Sequence, residues 1–310
     1  MRVVAVVVAH NRRDLLLECL AAVRAQSSPP TAVVVVDNAS SDGTAEAVRD
    51  AFPEVDLLPL AVNTGGAGGF AAGMARALDR HGADLLWVMD DDTVARPGAL
   101  AALLEAREGY PGPAPALVAS RVVWTDGREH PMNTPRRKPW ASRAEVADAV
   151  AVGCRPVRSA SFVSVLVDAE VVRERGLPLA DYFIWNDDFE FTTRVLRGRR
   201  GLLCPYSVVV HKTRTFGATD ADPGGRFYYE VRNKVWMLGR SRGLAPAERL
   251  LYASATLRRW TRTFARSGDR ATLRHGLGRG IRDGLRSGPR PTGEVLAAAP
   301  PADRPPEAGR

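Results

Sequence analysis

Three consecutive carboxylates, Asp90, Asp91 and Asp92, follow an apolar stretch at residues 85–89 that predicts a buried strand. Because these like charges repel one another, the end of such a strand requires a compensating positive charge. A divalent cation is the usual one, since hard cations prefer oxygen ligands. An acidic turn that faces water would also explain the triplet if it stood alone, so the other residues with chemical potential have to be considered.

Polar residues also follow other apolar stretches in the N-terminal part of the chain. Residues 2–9 and 32–36 are rich in Val and flank a segment with helical spacing of apolar residues, which predicts a βαβ unit and a parallel sheet. In such sheets, ligands bind beyond the carboxyl ends of the strands. The residues expected at that edge, besides the three acids, are His10, Asn11, Arg12, Asp37, Asn38, Asn63, Gly65, Gly66, Gly68 and Gly69.

These residue types suit a nucleotide. A carboxylate such as Asp37 can accept a base N–H, and glycines let the backbone approach a diphosphate closely. The glycine run also satisfies a relaxed dinucleotide fingerprint, but that motif normally occupies the first strand-to-helix turn, which here contains no glycine. A dinucleotide-dependent dehydrogenase is therefore disfavoured, and the absence of Gly-Lys-Ser/Thr excludes a Walker A loop.

The second half of the chain adds a further acidic segment. Residues 182–194 combine aromatic residues with acids that open an apparent helix, where Asp187 and Asp188 have a structural explanation in the helix dipole. The aromatic residues before them, which include Trp185, suit a site where a sugar could stack. His211 follows a predicted strand at 204–210, and a neutral imidazole at a metal-holding sheet edge would be an additional ligand.

The basic charge of the protein is concentrated near its C-terminus. The net charge is +8, and twelve arginines stand against three acids between Arg242 and Arg290. Apolar residues recur at helical spacing through 246–286, which predicts cationic amphipathic helices. Such helices suit an anionic membrane surface, and packing against the body of the protein is the alternative. The Pro/Ala-rich residues 289–310 predict a disordered tail.

Composition limits the class of protein. A chain of 310 residues with 45% hydrophobic residues can build one large α/β domain or two small ones. The three cysteines lack metal-type spacing, so we expect a reducing cytoplasm and no structural zinc. No stretch reaches the roughly 18 apolar residues of a membrane span, so a soluble or peripheral protein is expected. Outside the basic C-terminal segment there is no basic face with aromatic platforms, so no nucleic-acid partner is expected.

With these segments assembled, the chain resembles the family 2 glycosyltransferases of GT-A fold over roughly residues 3–240. The matching segments, in the order that the family has them, are residues 6–12, 35–44, 63–70, 90–92, 185–190 and His211. The resemblance implies an α/β, Rossmann-like, mostly parallel mixed sheet with helices on both faces, and the basic segment predicts a C-terminal helical extension. The expected organisation is a catalytic domain at 1–240, with a nucleotide-sugar half at 1–107 and an acceptor half at 108–240, then the extension at 241–288 and the tail at 289–310.

The resemblance also implies roles for single residues. Asp37 would contact the nucleobase, Asn63 and the glycines the ribose and diphosphate, and Asp90, Asp92 and His211 would hold Mn²⁺ or Mg²⁺. Asp188 occupies the position of the catalytic base and Asp187 lies beside it. Many relatives have Glu-Asp where this chain has Asn186-Asp187-Asp188, so the choice between the two acids stays open.

Residues 63–70 and 227–233 are most similar to bacterial galactofuranosyl- and rhamnosyltransferases of cell-envelope synthesis. The implied reaction is inverting transfer from a UDP-galactofuranose or dTDP-rhamnose type of donor to a hydroxyl of a glycan or polyprenyl-linked acceptor. Acceptor contacts are predicted at Trp185, Glu190, Arg232 and Asn233, with an ordinary packed helix as the alternative for the last two. A catalytically inactive sugar-nucleotide-binding relative and a nucleotidyltransferase of similar fold remain the alternative functions.

Overall fold

The structure is a computed structural model that describes residues 1–216 and 222–302. Its N-terminal half alternates strands and helices, as the hydrophobic pattern predicts. These elements are β1 (Val3–Ala9), α1 (Arg13–Arg24), β2 (Ala32–Asp37), α2 (Thr44–Ala51), β3 (Asp56–Pro59), α3 (Gly65–Asp79) and β4 (Leu85–Asp90). The four strands are parallel in the order β3-β2-β1-β4, and every residue of β1 is buried. A strand covered on both faces in this way reads as a continuous apolar run.

The second half of the chain extends the same sheet. Its elements are β5 (Thr93–Ala95), α4 (Ala99–Glu108), β6 (Leu117–Val123), β7 (Arg136–Arg137), α5 (Arg143–Ala151), β8 (Arg155–Ser159), β9 (Val165–Asp168), α6 (Ala169–Arg175), α7 (Asp187–Val195), β10 (Gly201–His211) and α8 (Phe227–Gly239). The sheet continues from β4 as β9-β6-β10-β8-β7, and β9 runs antiparallel to both of its neighbours.

One pairing matters for the site. The short strand β5 runs antiparallel to β10, with Thr93 opposite His211. His211 is thereby brought beside the acids that precede β5, although it lies more than a hundred residues away along the chain. The register of two strands therefore creates a neighbourhood that no local motif encodes.

Helices cover both faces of the sheet, so two apolar cores form. Alternate residues of β4 divide between them: Trp87 and Met89 pack with α1 and α4, whereas Leu86 and Val88 pack on the side of α3 and α7. This period of two is what a pleated strand imposes. The α/β prediction of a mixed sheet with helices on both faces is confirmed.

The C-terminal extension consists of α9 (Pro246–Arg266), α10 (Arg270–Arg286) and α11 (Thr292–Ala297). α10 packs closely on α8, because glycines lie at the contact: a Cβ on Gly280 or Gly284 would come within 2.7 Å of Val231 or Val235. Trp260 and Phe264 of α9 turn inward onto Phe227 and Val231. The extension therefore packs on the body of the protein, which is one of the two arrangements considered from the sequence.

Part of the apolar surface of the extension nevertheless stays exposed. Leu250 and Leu257 on α9 are 75% and 60% exposed, and Ile281 and Leu285 on α10 are 40% and 66% exposed. Among the described residues no helix combines the length and the apolarity that crossing a bilayer would require.

The prediction of a disordered tail from residue 289 is wrong for residues 289–302. Arg290 forms two hydrogen bonds with Asp181 Oδ1, at 3.0 and 2.8 Å, and α11 follows. The chain then pairs with the edge of the sheet, where Ala61 N donates to Pro300 O at 3.0 Å. An edge strand offers unpaired backbone groups, so even a Pro/Ala-rich segment can be ordered on it. The rest of the predicted tail, 303–310, lies outside the described residues.

Candidate active site

The loops that follow β1, β2 and β4 meet at one edge of the sheet, as the parallel order requires. His10 N donates to Asp91 Oδ2 at 3.2 Å, which joins the first loop to the acidic triplet. The His10 ring joins the loop after β1 to the loop after β2, since its Nδ1 lies 2.9 Å from Asn38 O. The predicted convergence of these loops is therefore present.

Asp90, Asp92 and His211 form a cluster in which one ligand atom from each residue lies within 4.8 Å of the others. His211 Nε2 is 2.9 Å from Asp92 Oδ1, and both side chains are buried. On the other side of the ring, Nδ1 lies 2.9 Å from Asn133 Oδ1. Because an amide oxygen only accepts, Nδ1 is the protonated nitrogen of a neutral His211, and the Nε2 lone pair faces Asp92.

This arrangement fits a divalent cation. Asp92 Oδ1 is buried and accepts no well-formed hydrogen bond from the residues that the structure describes. A buried carboxylate oxygen that faces a nitrogen lone pair is repelled unless a proton or a metal ion lies between them. Two carboxylates and an imidazole suit Mn²⁺, while Mg²⁺ would rely more on the carboxylates.

Sequence reasoning missed Asn133. It lies in the aperiodic loop before β7, where an asparagine is unremarkable, and its contact with His211 exists only because the loop folds back over the end of β10. A residue that orients a metal ligand in this way fixes the ring and its tautomer. The local sequence contains no pattern from which this role could have been inferred.

Arg12 lies on the acidic cluster. Its Nη1 is 3.3 Å from Asp91 Oδ1 and also donates to Asp92 Oδ2. Burial raises the pKa of Asp91 to about 7, despite this guanidinium, and burial with its two acidic neighbours raises that of Asp90. For Asp92, burial is outweighed by Arg12 and by the protonated form of His211, which donates from Nε2, so its pKa is lowered. One arginine thus only partly compensates three acids. Asp91 is not among the three residues of the Asp90-Asp92-His211 cluster.

On the nucleotide side, Asp37 is buried at the end of β2 and its Oδ1 accepts from Ser40 N at 3.0 Å. The side chain of Asn38 is already engaged: its Nδ2 donates to Gly65 O and its Oδ1 accepts from Thr64 N, both at 2.8 Å. Asn38 therefore fixes the start of α3, which corrects its predicted role as a donor contact. Asn63 remains available to a ligand at one end only, since its Oδ1 accepts from Gly65 N at 2.7 Å.

The glycine run also differs from its prediction. It forms the first turn and a half of α3, and a Cβ on Gly65 would lie 2.0 Å from Phe183 O. On Gly68 and Gly69 a Cβ would meet Thr64 at 2.4 Å and Val8 at 2.5 Å. These three glycines allow close packing rather than the predicted approach of a diphosphate. Gly66 has open space, with no such contact closer than 4.0 Å, and stays a candidate.

Asp187 and Asp188 begin α7, and burial raises the pKa of both. For Asp187 the pKa rises to about 8, with the neighbouring Asp188 as the next cause. Asp188 Oδ1 accepts from Phe189 N at 2.6 Å. Asp187 also contributes, after burial and the nearer acids, to the raised pKa of Asp90, which places the start of α7 beside the acidic cluster.

The segment before α7 is held in an unusual conformation. Phe183, Trp185 and Asn186 have φ of 63°, 67° and 65°, which is uncommon for residues with side chains. The fully buried Asn233 holds this segment: its Nδ2 lies 2.9, 3.0 and 2.8 Å from the carbonyl oxygens of Tyr182, Ile184 and Trp185. Asn233 therefore positions the segment instead of contacting an acceptor, which corrects that prediction.

The other three predicted acceptor contacts, Glu190, Arg232 and Trp185, differ in whether their side chains can reach a ligand. Glu190 is buried, ion-paired with Arg194 and bonded to Ser241 Oγ at 2.7 Å, so it has no face left for an acceptor and that prediction is wrong. Arg232 donates to Asp181 O at 2.7 Å and lines a cleft of about 300 Å³ together with Phe183 and Tyr229. Trp185 is partly exposed. These last two remain candidates.

Comparison with known proteins agrees with this geometry. The family model described as glycosyl transferase family 2 matches residues 4–162. Galactofuranosyltransferase GlfT1 of Mycobacterium tuberculosis is 32% identical over 279 residues, which cover 83% of this chain and 86% of the relative. The N-acetylglucosaminyl-diphospho-decaprenol L-rhamnosyltransferase of the same organism is 27% identical over 251 residues, covering 70% and 78% of the two chains.

Among solved structures, residues 1–349 of S. aureus TarS in complex with UDP superpose with a TM-score of 0.63 at 16% identity. The match covers 91% of this chain and 81% of that one. At this identity the likeness concerns the fold alone. The match to the family model and the identity to GlfT1 carry the assignment: the chain belongs to glycosyl transferase family 2, and it is a hexosyltransferase.

Proposed function

We propose that this protein is an inverting, metal-dependent glycosyltransferase that transfers a sugar from a nucleoside-diphosphate donor to a hydroxyl of a glycan or lipid-linked acceptor. The observation that carries the proposal is the placement of two acidic groups at one sheet edge. The Asp90-Asp92-His211 cluster lies at the ends of β4 and β10, and Asp187 at the start of α7 acts electrostatically on Asp90. One group suits a diphosphate with its cation, and the other suits an acceptor hydroxyl.

On the donor side, the buried carboxylate of Asp37 is available to a nucleobase N–H. His10 and Asn63, whose side chains meet with Nε2 and Nδ2 3.1 Å apart, lie between that carboxylate and the start of α3. A divalent cation bound at the cluster would supply charge stabilisation for the departing diphosphate. UDP is a nucleoside diphosphate of the required kind, and the likeness to TarS supports it through the fold.

On the acceptor side, Asp188 is the proposed general base. Its carboxylate lies at the start of α7, and the one hydrogen bond that it accepts among the described residues comes from Phe189 N. A raised pKa makes a carboxylate a stronger base, provided that it is still ionised at the working pH. It would take the proton from the hydroxyl as that oxygen attacks the anomeric carbon from the face opposite the diphosphate.

The relatives support a proposal for the donor and the acceptor. GlfT1 and the rhamnosyltransferase support a UDP-galactofuranose or dTDP-rhamnose type of donor, and the diphospho-decaprenol in the second name supports a lipid-linked acceptor in cell-envelope synthesis. The exposed leucines of α9 and α10, set among arginines, suit an anionic membrane surface that would carry such an acceptor. A cytoplasmic protein held peripherally on that surface is the arrangement proposed.

The proposal is tested by replacing Asp188 with Asn, which keeps the shape of the side chain and removes its basicity. We expect sugar transfer from a radiolabelled donor to fall at least about a hundredfold, the usual contribution of a general base. Binding of UDP with Mn²⁺, measured by calorimetry, should stay within about twofold. The matched control is Asp50→Asn on the exposed side of α2, which should leave both quantities unchanged. Full activity in Asp188→Asn would remove Asp188 from the role.

A further inference from the structure

Lys234 is a buried charge that the proposed chemistry leaves unexplained. It lies on α8, is 4% exposed, and is one of only three lysines among 43 basic residues. Among the residues that the structure describes, it has no ion-pair partner. Its Nζ instead lies 4.0 Å from Met237 Sδ and 4.7 Å from the ring centroid of Phe189, the residue that follows Asp188. A buried ammonium with such partners carries a large desolvation cost.

Two carboxylates act on Lys234, and one of them is already compensated. Glu230, on the same helix, accepts hydrogen bonds from Asn186 Nδ2 at 2.8 Å, from Trp260 Nε1 at 3.1 Å and from Arg259. Asp188, on α7, has no such set of donors, and its one hydrogen bond in the described residues comes from Phe189 N. The cations that face Lys234 are Arg136 on β7 and Arg259 on α9. Glu230 acts more strongly on Lys234 than Asp188 does, but Asp188 is the carboxylate that has no charged hydrogen-bond donor among the described residues.

We propose that Lys234 is a positioning residue whose buried positive charge keeps the carboxylate of Asp188 ionised for its role as base. This inference rests on the proposed function. Arg136 contributes from the other side, but it is exposed, so solvent weakens its effect relative to that of Lys234.

The electrostatics work in both directions. Burial raises the pKa of Asp188, and the hydrogen bond from Phe189 N, then the charges of Lys234 and Arg136, oppose this rise. Burial lowers the pKa of Lys234 to about 8, while Glu230 and Asp188 oppose this fall. The active combination is ionised Asp188 with charged Lys234. Activity is therefore expected to rise as Asp188 loses its proton and to fall again as the pH passes through about 8.

The coupling can be measured without any activity. With three lysines in the chain, ¹³Cε-lysine labelling gives few NMR signals, and Lys234→Met assigns the one of interest. In Asp188→Asn the favourable negative charge is gone, so the titration midpoint of Lys234 should move to lower pH. In Asp50→Asn it should not move. An unchanged midpoint in Asp188→Asn overturns the proposal, whether or not a sugar donor has been found.

Activity provides the second measurement. In Lys234→Met, the acid limb of the kcat profile should move to higher pH, so activity lost at neutral pH returns at higher pH. In Lys234→Arg, the charge is permanent, so the fall above pH 8 should disappear. A uniform loss at every pH in Lys234→Met would indicate a merely structural role and contradict the proposal. An inactive wild-type protein with a coupled Lys234 would instead contradict the proposed function.

Discussion

At the scale of single residues, the site depends on partners that orient its reactive groups. His211 can face Asp92 with a lone pair because Asn133 accepts the proton on its other nitrogen. Arg12 supplies positive charge to the acids from a side chain that is about half exposed, with 49% of its surface accessible. The acids therefore have one compensating charge that can move away and one imidazole that is held in place. We expect a cation bound at this site to replace the arginine without moving the imidazole.

Asn133→Ala is expected to weaken metal binding. Without the amide oxygen, the His211 ring can rotate or change its tautomer, and loss of such an orienting partner typically costs about 10- to 100-fold in metal affinity. The measurement is calorimetric titration with Mn²⁺ in the presence of UDP. Thr134→Ala is the control, because this neighbour in the same loop bonds only its own turn, through His130 O. Equal Mn²⁺ affinity in the two variants would contradict the orienting role.

At the scale of elements, the strained segment before α7 depends on α8. The amide of Asn233 serves three carbonyl groups of residues 182–185, and Arg232 donates to the carbonyl oxygens of Asp181 and Tyr182. Left-handed backbone at three residues with side chains is costly and persists only where the surroundings impose it. α8 therefore fixes the direction from which α7, with Asp187 and Asp188, enters the site.

Asn233→Ala should both destabilise the protein and reduce turnover. Buried carbonyl groups left without a donor cost about 1–3 kcal/mol each, so a loss of about 2–4 kcal/mol in the free energy of unfolding is expected. Urea denaturation measures it, and transfer activity is assayed below the midpoint. Tyr228→Phe, on the same helix, loses only a bond to Asp283 and should cost about 1 kcal/mol or less. If Asn233→Ala unfolds with the same urea midpoint as the wild-type protein, the segment before α7 does not need this amide.

The elements also show what could be predicted. β1, β2 and β4 follow from local apolar runs, and the acids and polar residues at their ends converge because parallel strands share an edge. Gly65 could not be interpreted in the same way. Its close neighbour is Phe183, 118 residues along the chain, so the sequence indicated a phosphate where the structure has backbone packing. The two-residue strand β7 exists only through its pairing with β8 and has no local signal of its own.

At the scale of the whole molecule, the C-terminal extension joins the body through α8. The glycines of α10 pack on the side of α8 that carries Tyr228, Val231 and Val235, while Asn233 and Lys234 on α8 face the site. Residues 289–302 then run to the β3 edge of the sheet, where Pro301 pairs with Leu60. Composition suggested disorder here, because it does not reveal that the β3 edge has backbone groups to pair. The extension is thus part of the scaffold that holds the segment before α7.

The outer face of the same extension leads to a prediction about membranes. Leu250, Leu257, Ile281 and Leu285 are exposed, and arginines such as Arg258 and Arg282 are exposed beside them. Cationic helices with an apolar face bind anionic lipid through both contributions, at about 1 kcal/mol for each arginine near the surface. The protein should therefore float with vesicles that contain phosphatidylglycerol, and binding should weaken as salt is raised.

The double variant Leu250→Gln/Leu257→Gln tests the apolar part, because both side chains lie outside the packed core and their replacement leaves the fold intact. We expect at least about tenfold weaker binding to the anionic vesicles, while transfer to a short water-soluble acceptor is unchanged. A matched change on the exposed surface of α5, Val150→Gln, should alter neither. If the wild-type protein binds neutral and anionic vesicles equally, the arginines contribute nothing to membrane binding. If it binds neither kind, the acceptor must reach the site without a membrane held by α9 and α10.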